Sequence, residues 1–435
     1  MTSLTHLLAR PRCTLAVELA RIAPDAAAGP GRGTVPDGPH VGGRAAAVRR
    51  LAAMDPLAYG HTRNHVSGAV TGLSPWIRHG VLSLAEIRDA ALARVSHPEQ
   101  ATKLISELGW RDYWRQVHLA IGDGIREDLE RPAARWRRAL LGAVPDDVRE
   151  ARTGMACIDA FVRRLHDTGW LHNHERMWLA SWLVHVRGVH WRAGADWFLE
   201  HLLDGDPASN HLSWQWIAGT FSAKPYLFNR ENLETFTSGS HCRECPLFGC
   251  CDVEGSYDDL TARLFADPGQ PVERPPLRIR PATPAVPSPA PQRPLVWLTL
   301  DSASAASPAA SAFPKAPRLF VLDPCWLADE RPSLKRLVFL CECLADVPGI
   351  EVLLGDPQAV VPAHAAALDC DGVAVAETPC PRILRGIEVI RSSNPVATMP
   401  WPRFCDRSRV RDLGRFSRYW QQVASSALMP TNSSG

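Results

Sequence analysis

Residues 204–216 combine side chains suited to acid–base and electron-transfer chemistry. They hold the carboxylates of Asp204 and Asp206, the amide of Asn210 and the indoles of Trp214 and Trp216. Eleven of the 15 tryptophans in the chain lie between positions 76 and 216. Because a buried indole needs a partner for its N–H group, ordinary packing rarely concentrates so many tryptophans. Stacking on planar ligands and stepwise electron transfer between rings are two uses of such density.

Further motifs precede this segment in a fixed order: Tyr59 with Arg63, residues 71–75, 107–114, 153–155, 170–177 and 191–192. Together with residues 204–216, they resemble the flavin-binding half of the photolyase and cryptochrome family, over roughly residues 55–260. The resemblance implies a FAD-dependent, light-driven lyase that repairs UV pyrimidine dimers in DNA by electron transfer from reduced flavin. The alternative is a cryptochrome-like blue-light photoreceptor without repair activity.

The resemblance implies a set of FAD-binding residues: Tyr59, Thr71, Leu73, Ser74, Asn173, Arg176, Asp204, Asp206 and Asn210. Hydroxyls and backbone amides at the start of a helix near Ser74 would hold the flavin phosphates, because helix N-termini favour anions. An ordinary helix cap is the alternative for this segment. Arg176 and Asp204 would flank the isoalloxazine ring, and Asn210 would face its N5 atom.

The same resemblance implies residues that face the lesion: Glu107, Trp110, Asn173, Met177 and Trp216. Trp110 and Trp216 could sandwich a flipped base between their rings. Glu107 could share a proton with an anionic dimer if burial raised the pKa of its carboxyl group.

Electron supply is expected from Trp214, Trp191 and Trp136, of which Trp136 is placed only approximately and could instead be a packing residue. One departure concerns the substrate, because residues 224–227 replace a segment in which the family normally offers an arginine. This change favours single-stranded DNA or a signalling role over ordinary duplex DNA.

A cysteine-rich segment follows the flavin motifs. Cys242 and Cys245 form a Cys-x-x-Cys pair, with Cys250 and Cys251 close behind, which is ligand spacing for an iron–sulfur cluster or zinc. Cys157 lies where the iron–sulfur bacterial branch of the family places a cluster cysteine. We therefore expect a [4Fe–4S] cluster on Cys157, Cys242, Cys245 and Cys251, with Cys250 as the alternative fourth ligand. Zinc, with His241 as a further ligand, or an unmetallated loop are the other interpretations.

Composition shifts divide the chain of 435 residues. The composition of residues 1–42 predicts a flexible N-terminal arm. Residues 43–267 have apolar residues at three- and four-residue spacing, which predicts an all-helical domain. The resemblance implies that this domain binds FAD. Ten prolines in residues 268–294 predict an extended linker. Residues 295–400 alternate apolar runs with helical patterns, which predicts a small Rossmann-like parallel α/β domain. This domain resembles the antenna domain of photolyases, placed after the flavin domain instead of before it, and an antenna pigment is left open. Residues 401–435 form a C-terminal helix and tail.

Composition also limits the kinds of partner that we expect the protein to bind. The apolar content of 46% and the charged content of 22% are typical of soluble proteins, and no apolar run approaches the length of a spanning helix. We therefore expect a cytoplasmic monomer that does not contact membranes. Because the net charge is only +2, UV-damaged DNA would need a local basic patch. The arginines near the motifs could supply it or form a solvated face: Arg111, Arg115, Arg135, Arg137 and Arg138.

Overall fold

The computed structural model describes residues 2–132, 135–136, 140–267 and 290–430. Most of the proline-rich linker therefore lies outside the described residues, as do Arg137, Arg138 and the last five positions. Within the described residues, no helix is both long enough and apolar enough to cross a membrane. The cytoplasmic location and the monomeric state stay predictions.

Helices dominate the first two-thirds of the chain, as expected. They are α1 (Arg12–Ile22), α2 (Arg44–Ala52), α3 (Pro56–Thr62), α4 (Ser74–Arg78), α5 (Leu84–Leu92), α6 (Thr102–Ile121), α7 (Asp146–Arg149), α8 (Ala156–Thr168), α9 (Asn173–Ser181), α10 (Trp191–His201), α11 (Pro207–Ala218), α12 (Arg230–Thr237) and α13 (Tyr257–Leu264). A π-helical turn over Trp182–Val186 extends α9. One apolar core surrounds α6 and another lies between α8 and α11.

The six-stranded sheet and most of the remaining helices form the α/β region, whereas two short strands pair in a separate antiparallel sheet. The strands are β1 (Thr2–Ser3), β2 (Arg135–Trp136), β3 (Phe265–Asp267), β4 (Pro294–Leu298), β5 (Arg318–Leu322), β6 (Ile350–Leu354), β7 (Gly372–Ala376) and β8 (Val396–Met399). The helices are α14 (Pro308–Ala312), α15 (Pro324–Glu330), α16 (Leu334–Ala345), α17 (Pro357–Ala367), α18 (Pro381–Arg391) and α19 (Phe416–Ala427). The sheet order is β1-β6-β5-β4-β7-β8, and all its pairings are parallel except that of β1 with β6. The Rossmann-like parallel sheet is thereby confirmed.

The N-terminal residues differ from the expected flexible arm. Strand β1 pairs with β6, and helix α1 packs on α16. Leu15 and Leu19 of α1 are almost fully buried in the core on one face of the sheet. The expectation of a flexible arm rested on the Ala-, Gly- and Pro-rich composition after Arg21 and overlooked the apolar residues of α1 that precede it. The α/β region is therefore built from both ends of the sequence, with the helical region between them.

Candidate functional site

A large cavity of the helical region, with a volume of about 500 Å³, lies between α6, α9, α11 and residues 70–74. This volume is within the range of ligand-binding pockets. Helix α6 presents Glu107, Trp110, Arg111 and Trp114 to the cavity. Their spacing of three and four residues places them on one helical face.

Helix α9 contributes the opposite wall. His172 caps its first turn by accepting a hydrogen bond from the backbone N–H of His174 (3.1 Å). One turn apart, Asn173, Arg176 and Met177 then line the cavity. The amide nitrogen of Asn173 donates to the sulfur of Met177 at 3.3 Å, which orients these two side chains together.

Two ion pairs line the cavity. Arg176 Nη1 donates to both carboxylate oxygens of Asp204, at 3.1 and 3.0 Å. Arg63 Nη2 lies 2.8 Å from Glu107 Oε1. Their charges are therefore partly neutralised before any ligand enters.

The two carboxylates of these pairs titrate in opposite directions. Burial alone would raise the pKa of Asp204, but Arg176, a hydrogen bond with Ser74 and the charge of Arg111 hold it below the usual value. For Glu107, burial raises the pKa and prevails over the opposing charge of Arg63. Asp204 is thus a fixed anion at neutral pH, whereas Glu107 takes up a proton more readily than an ordinary glutamate does.

Residues 71–74 form the edge of the cavity near Tyr59. The Thr71 carbonyl accepts a hydrogen bond from Arg50 Nε at 2.6 Å, and Gly72 has a φ of +62° that favours glycine. Burial raises the pKa of Tyr59 to about 12, so its hydroxyl stays protonated. Helix α4 has only five residues and offers little dipole to phosphates. The hydroxyl groups, rather than an extended helix, are the donors at this edge.

Helix α11 brings Asn210 and Trp214 to the cavity floor. Asn210 Nδ2 donates to the carbonyl of Ala195 at 2.8 Å, which fixes the amide. The Trp214 ring lies against Gly194, where an added Cβ would come within 2.3 Å of it. Glycine at this position lets α10 and the indole approach each other closely.

Trp191 begins α10, one turn before Gly194, and its ring is buried. Its Nε1 donates to the carboxylate of the exposed Asp128 at 2.6 Å. The residues Trp214, Gly194, Trp191 and Asp128 thus connect the cavity with the surface. The side chain of Trp136 lies outside the described residues.

Asp206, expected among the FAD-binding residues, does not line the large cavity. Its side chain accepts the backbone N–H of Ala208 at 3.2 Å and the Ser209 hydroxyl at 2.7 Å, which caps α11. Arg111 lies 3.3 Å from the same carboxylate. Asp206 lines the interface with the α/β region instead of the large cavity.

The structure does not support the expected metal centre. Cys242, Cys245 and Cys251 lie near enough to Cys157 to influence its titration, but burial is the main cause that raises the Cys157 pKa to about 12. Cys157 is buried in an apolar core, and Cys250 is exposed. Among the residues that the structure describes, no three His, Cys, Asp or Glu side chains form a group that could hold a metal ion.

Two cavities separate the helical and α/β regions, with volumes of about 110 and 60 Å³. Buried Arg78 and Asp301 form an ion pair that lines both cavities. Each volume is below the roughly 300 Å³ at which ligand pockets usually begin. The antenna pigment stays a prediction.

Sequence reasoning missed two aromatic residues near the large cavity. The ring of His40 stacks on Trp170 with centroids 5.5 Å apart, although residues 1–42 were expected to be flexible. Phe416, in the C-terminal segment, stacks on Trp110 with centroids 3.8 Å apart. Both residues lie far in sequence from the motifs, and neither belongs to a motif, so no local signal could place them here.

Comparisons with known proteins agree with this geometry. Residues 104–238 match the family model described as the FAD binding domain of DNA photolyase. A deoxyribodipyrimidine photo-lyase of Streptomyces griseus is 37% identical over 155 residues, which cover 35% of this chain and 32% of the relative. The rice (Oryza sativa subsp. japonica) cryptochrome DASH, chloroplastic/mitochondrial, is 35% identical over 193 residues, covering 41% and 32%.

The chain thus spans about a third of the length of these two curated relatives. Among solved structures, a cryptochrome from Synechocystis sp. PCC6803 is 27% identical, with a TM-score of 0.41 over 47% of this chain and 46% of that one. The matched family model covers residues 104–238, which include most of the residues that line the cavity. The part of the chain that includes residues 104–238 is therefore similar to the FAD-binding domain of the photolyase and cryptochrome family.

Proposed function

We propose that this protein binds one FAD non-covalently in the large cavity and splits UV-induced pyrimidine dimers in DNA under light. One observation carries the proposal. The residues expected to hold flavin, including Tyr59, Arg176 and Asn210, line the same cavity as those expected to face the lesion, including Glu107 and Trp216. Electron transfer from flavin to lesion requires this proximity.

The residues that line the cavity fit the chemistry of FAD. Arg63, Arg111 and Arg176 bring three guanidinium groups to its wall, which suits the anionic diphosphate. Phe198, Leu202 and Ile217 add apolar surface for a flat ring system. Tyr59 and Ser74 add hydroxyl groups at one edge.

Light-excited, reduced FAD would supply one electron to the dimer and recover it after the ring has split. The chain itself must exclude water and fix both partners. Trp110 and Trp216 form aromatic walls for a flipped-out dinucleotide. Arg176, fixed by Asp204, keeps a positive charge on the cavity wall.

Glu107 is the residue placed to stabilise the negative charge that develops on a pyrimidine carbonyl. Its raised pKa increases the protonated fraction, and a protonated carboxyl group can donate a hydrogen bond. Arg63, 2.8 Å from Glu107, can hold the carboxylate whenever the proton has moved to the dimer. The pair can therefore lend and recover a proton without exposing either charge to apolar surroundings.

The competing function is a blue-light photoreceptor without repair activity. Relatives named cryptochrome DASH match 41% and 40% of the chain, which favours keeping this candidate. Both functions need the flavin and Trp214. They differ in whether Glu107 and Trp216 act on a substrate.

The test is illumination of reduced protein with an oligonucleotide that carries one cyclobutane thymine dimer, in single- and double-stranded form. We expect restored thymines in the light, none in the dark, and a much slower reaction for Glu107→Gln. The matched control is Glu99→Gln, an exposed glutamate outside the cavity. A protein that undergoes photoreduction but never splits dimers would be a photoreceptor, and one that cannot be loaded with FAD would refute both functions.

A further inference from the structure

The C-terminal segment lies on the same helix that presents Trp110 to the cavity. Phe416 stacks on the Trp110 ring with an interplanar angle of 15°, and Trp420 stacks on Phe416 with centroids 5.8 Å apart. Gly109 permits this approach, since an added Cβ would come within 2.4 Å of the Trp420 ring. The three rings form a continuous aromatic stack beside the mouth of the cavity.

Two polar contacts anchor the segment to the helical region. Arg407 Nη1 donates to both oxygens of the buried Asp112 on α6, at 2.8 and 3.1 Å. Arg415 Nη1 lies 2.7 Å from Glu130 Oε1. The stack is therefore fixed in place and does not rest on apolar contact alone.

A second cavity, with a volume of about 220 Å³, lies between this stack and the large cavity. Trp110, Trp114 and Trp216 line both cavities, whereas Phe416 lines the second cavity but not the large one, as does Phe221. Its volume is below the range of pockets for whole cofactors, which usually begins near 300 Å³. Flat aromatic walls in a space of this size suit a single planar heterocycle.

The segment is also strongly basic. Residues 403–418 contain six arginines and two aspartates, an excess larger than the net charge of +2 for the whole chain. Arg407 and Arg415 are occupied by the anchoring ion pairs. The other four are exposed: Arg403, Arg409, Arg411 and Arg418.

This basic character contrasts with the arginines near the flavin motifs. Arg111 pairs with Asp206 at 3.3 Å, and Arg115 lies 3.6 Å from Glu377. Those side chains are largely buried against protein carboxylates. The exposed arginines of residues 403–418 are more accessible to the phosphates of a bound strand, although Arg418 also pairs with Asp412 at 2.8 Å.

We infer that residues 403–420 form part of a binding surface for single-stranded nucleic acid, an inference that rests on the proposed action on DNA lesions. An unpaired base next to the lesion enters the second cavity, where it stacks on Trp216 and contacts the edge of the Phe416 ring. The flanking phosphates lie along the exposed arginines. Aromatic stacking combined with a basic strip is the usual chemistry of single-strand binding, and it requires bases that are free of pairing partners.

The first experiment measures binding of a fluorescent, undamaged oligothymidylate to the flavin-loaded protein in the dark at several salt concentrations. The variant Arg409→Gln/Arg418→Gln should bind about tenfold more weakly, and its salt dependence should fall by about 1.4 log units per log unit of salt, or 0.7 per lost phosphate contact. The matched control is Arg10→Gln/Arg21→Gln. It removes the same charge from exposed positions, and Arg21, like Arg418, has one surface ion-pair partner.

The second experiment tests the stacking. An oligonucleotide with 2-aminopurine next to a thymine dimer should lose fluorescence on binding, and Phe416→Leu should reduce this quenching while flavin absorbance stays unchanged. Phe313→Leu, at a partly buried position of the α/β region, is the matched control. Full quenching in Phe416→Leu would overturn the stacking.

The two proposals can fail separately. If dimers are never split but strand binding depends on Arg409 and Arg418, the repair function fails and the binding surface stands. If a minimal thymine dinucleotide dimer is repaired but the double arginine variant binds the undamaged strand with wild-type affinity and salt dependence, the binding surface is refuted and the repair function stands.

Discussion

Similar ion pairs line the large cavity and the interface between the helical and α/β regions, but the volumes of the cavities that they border differ greatly. In the cavity, the pairs Arg176–Asp204 and Arg63–Glu107 border about 500 Å³. At the interface, the buried pair Arg78–Asp301 borders about 60 Å³ on one side. The first arrangement leaves charged groups accessible to a ligand, whereas the second uses them only to hold two surfaces together.

The sequence alone does not distinguish an ion pair that borders a binding cavity from one that holds an interface together. A carboxylate beside an arginine is a candidate binding site only where the fold leaves room next to it. We therefore expect substitutions at the cavity to change photochemistry with little effect on stability. Substitutions at the interface should change stability with little effect on photochemistry.

The largest effect should come from Trp214→Phe. Removing the indole next to the cavity should abolish photoreduction of the bound flavin, because the path toward Trp191 and Asp128 then lacks its first ring. Flash-photolysis absorbance of the oxidised flavin measures the loss. Trp326→Phe, in α15 of the α/β region, is the matched control, and a loss of equal size there would show that photoreduction does not depend specifically on the indole next to the cavity.

The next effect concerns the interface. Asp301→Ala leaves the buried Arg78 without its partner and should lower the free energy of unfolding by about 3–5 kcal/mol. Urea denaturation followed by circular dichroism measures the change, and FAD content per folded chain should stay constant. The double variant Arg78→Met/Asp301→Leu should recover much of the loss. Loss of flavin from folded Asp301→Ala would contradict the separation of the two regions.

Lys335 is a buried cation of the interface whose pKa burial lowers to about 7. Since the unfolded lysine titrates near 10.5, the unfolded chain binds more protons between pH 7 and 10.5, and the stability attributable to this residue rises with pH across that window. Compared with Lys335→Met, the wild type should gain about 3 kcal/mol between pH 7 and 10. Parallel unfolding curves for the two proteins across this range would show that Lys335 titrates normally.

The smallest effect is the loss of stability that acidification should cause at the cavity wall. Burial lowers the pKa of His172, the cap of α9, to about 4. The stability provided by its neutral ring is complete above pH 6.5 and is lost as the pH falls toward 4, because the unfolded chain takes up the proton first. Relative to His172→Asn, which keeps a capping side chain, the wild type should lose about 1 kcal/mol at pH 5.5. Thermal unfolding at pH 7 and 5.5 compares them.

Sequence reasoning placed residues well where one helix carries several of them. The spacing of Glu107 and Trp110 on α6, and of Asn173, Arg176 and Met177 on α9, already predicts a shared face, and the structure brings both faces to one cavity. The apolar runs of β4 to β7 likewise predicted the parallel sheet. Local periodicity was sufficient in these cases.

It failed where the answer depends on partners distant in sequence. Asp206 lies close to Asp204 in sequence, but its carboxylate caps α11, contacts Arg111 and lines the interface cavities. Cys157 lies near the other cysteines, yet it is buried in an apolar core, and burial raises the pKa of its thiol. The contact of Phe416 with Trp110 spans more than 300 positions, and no local pattern encodes it.

The pairing of β1 with β6 has a consequence for synthesis on the ribosome. The Thr5 hydroxyl accepts a hydrogen bond from Val352, 347 positions later, so the first strand leaves the ribosome long before its partner exists. The apolar stripe of α1 then has no sheet to cover it while the helical region is translated and can fold. Nascent chains arrested near residue 267 should therefore expose this stripe to proteases and chaperones, and chains extended past β6 should protect it.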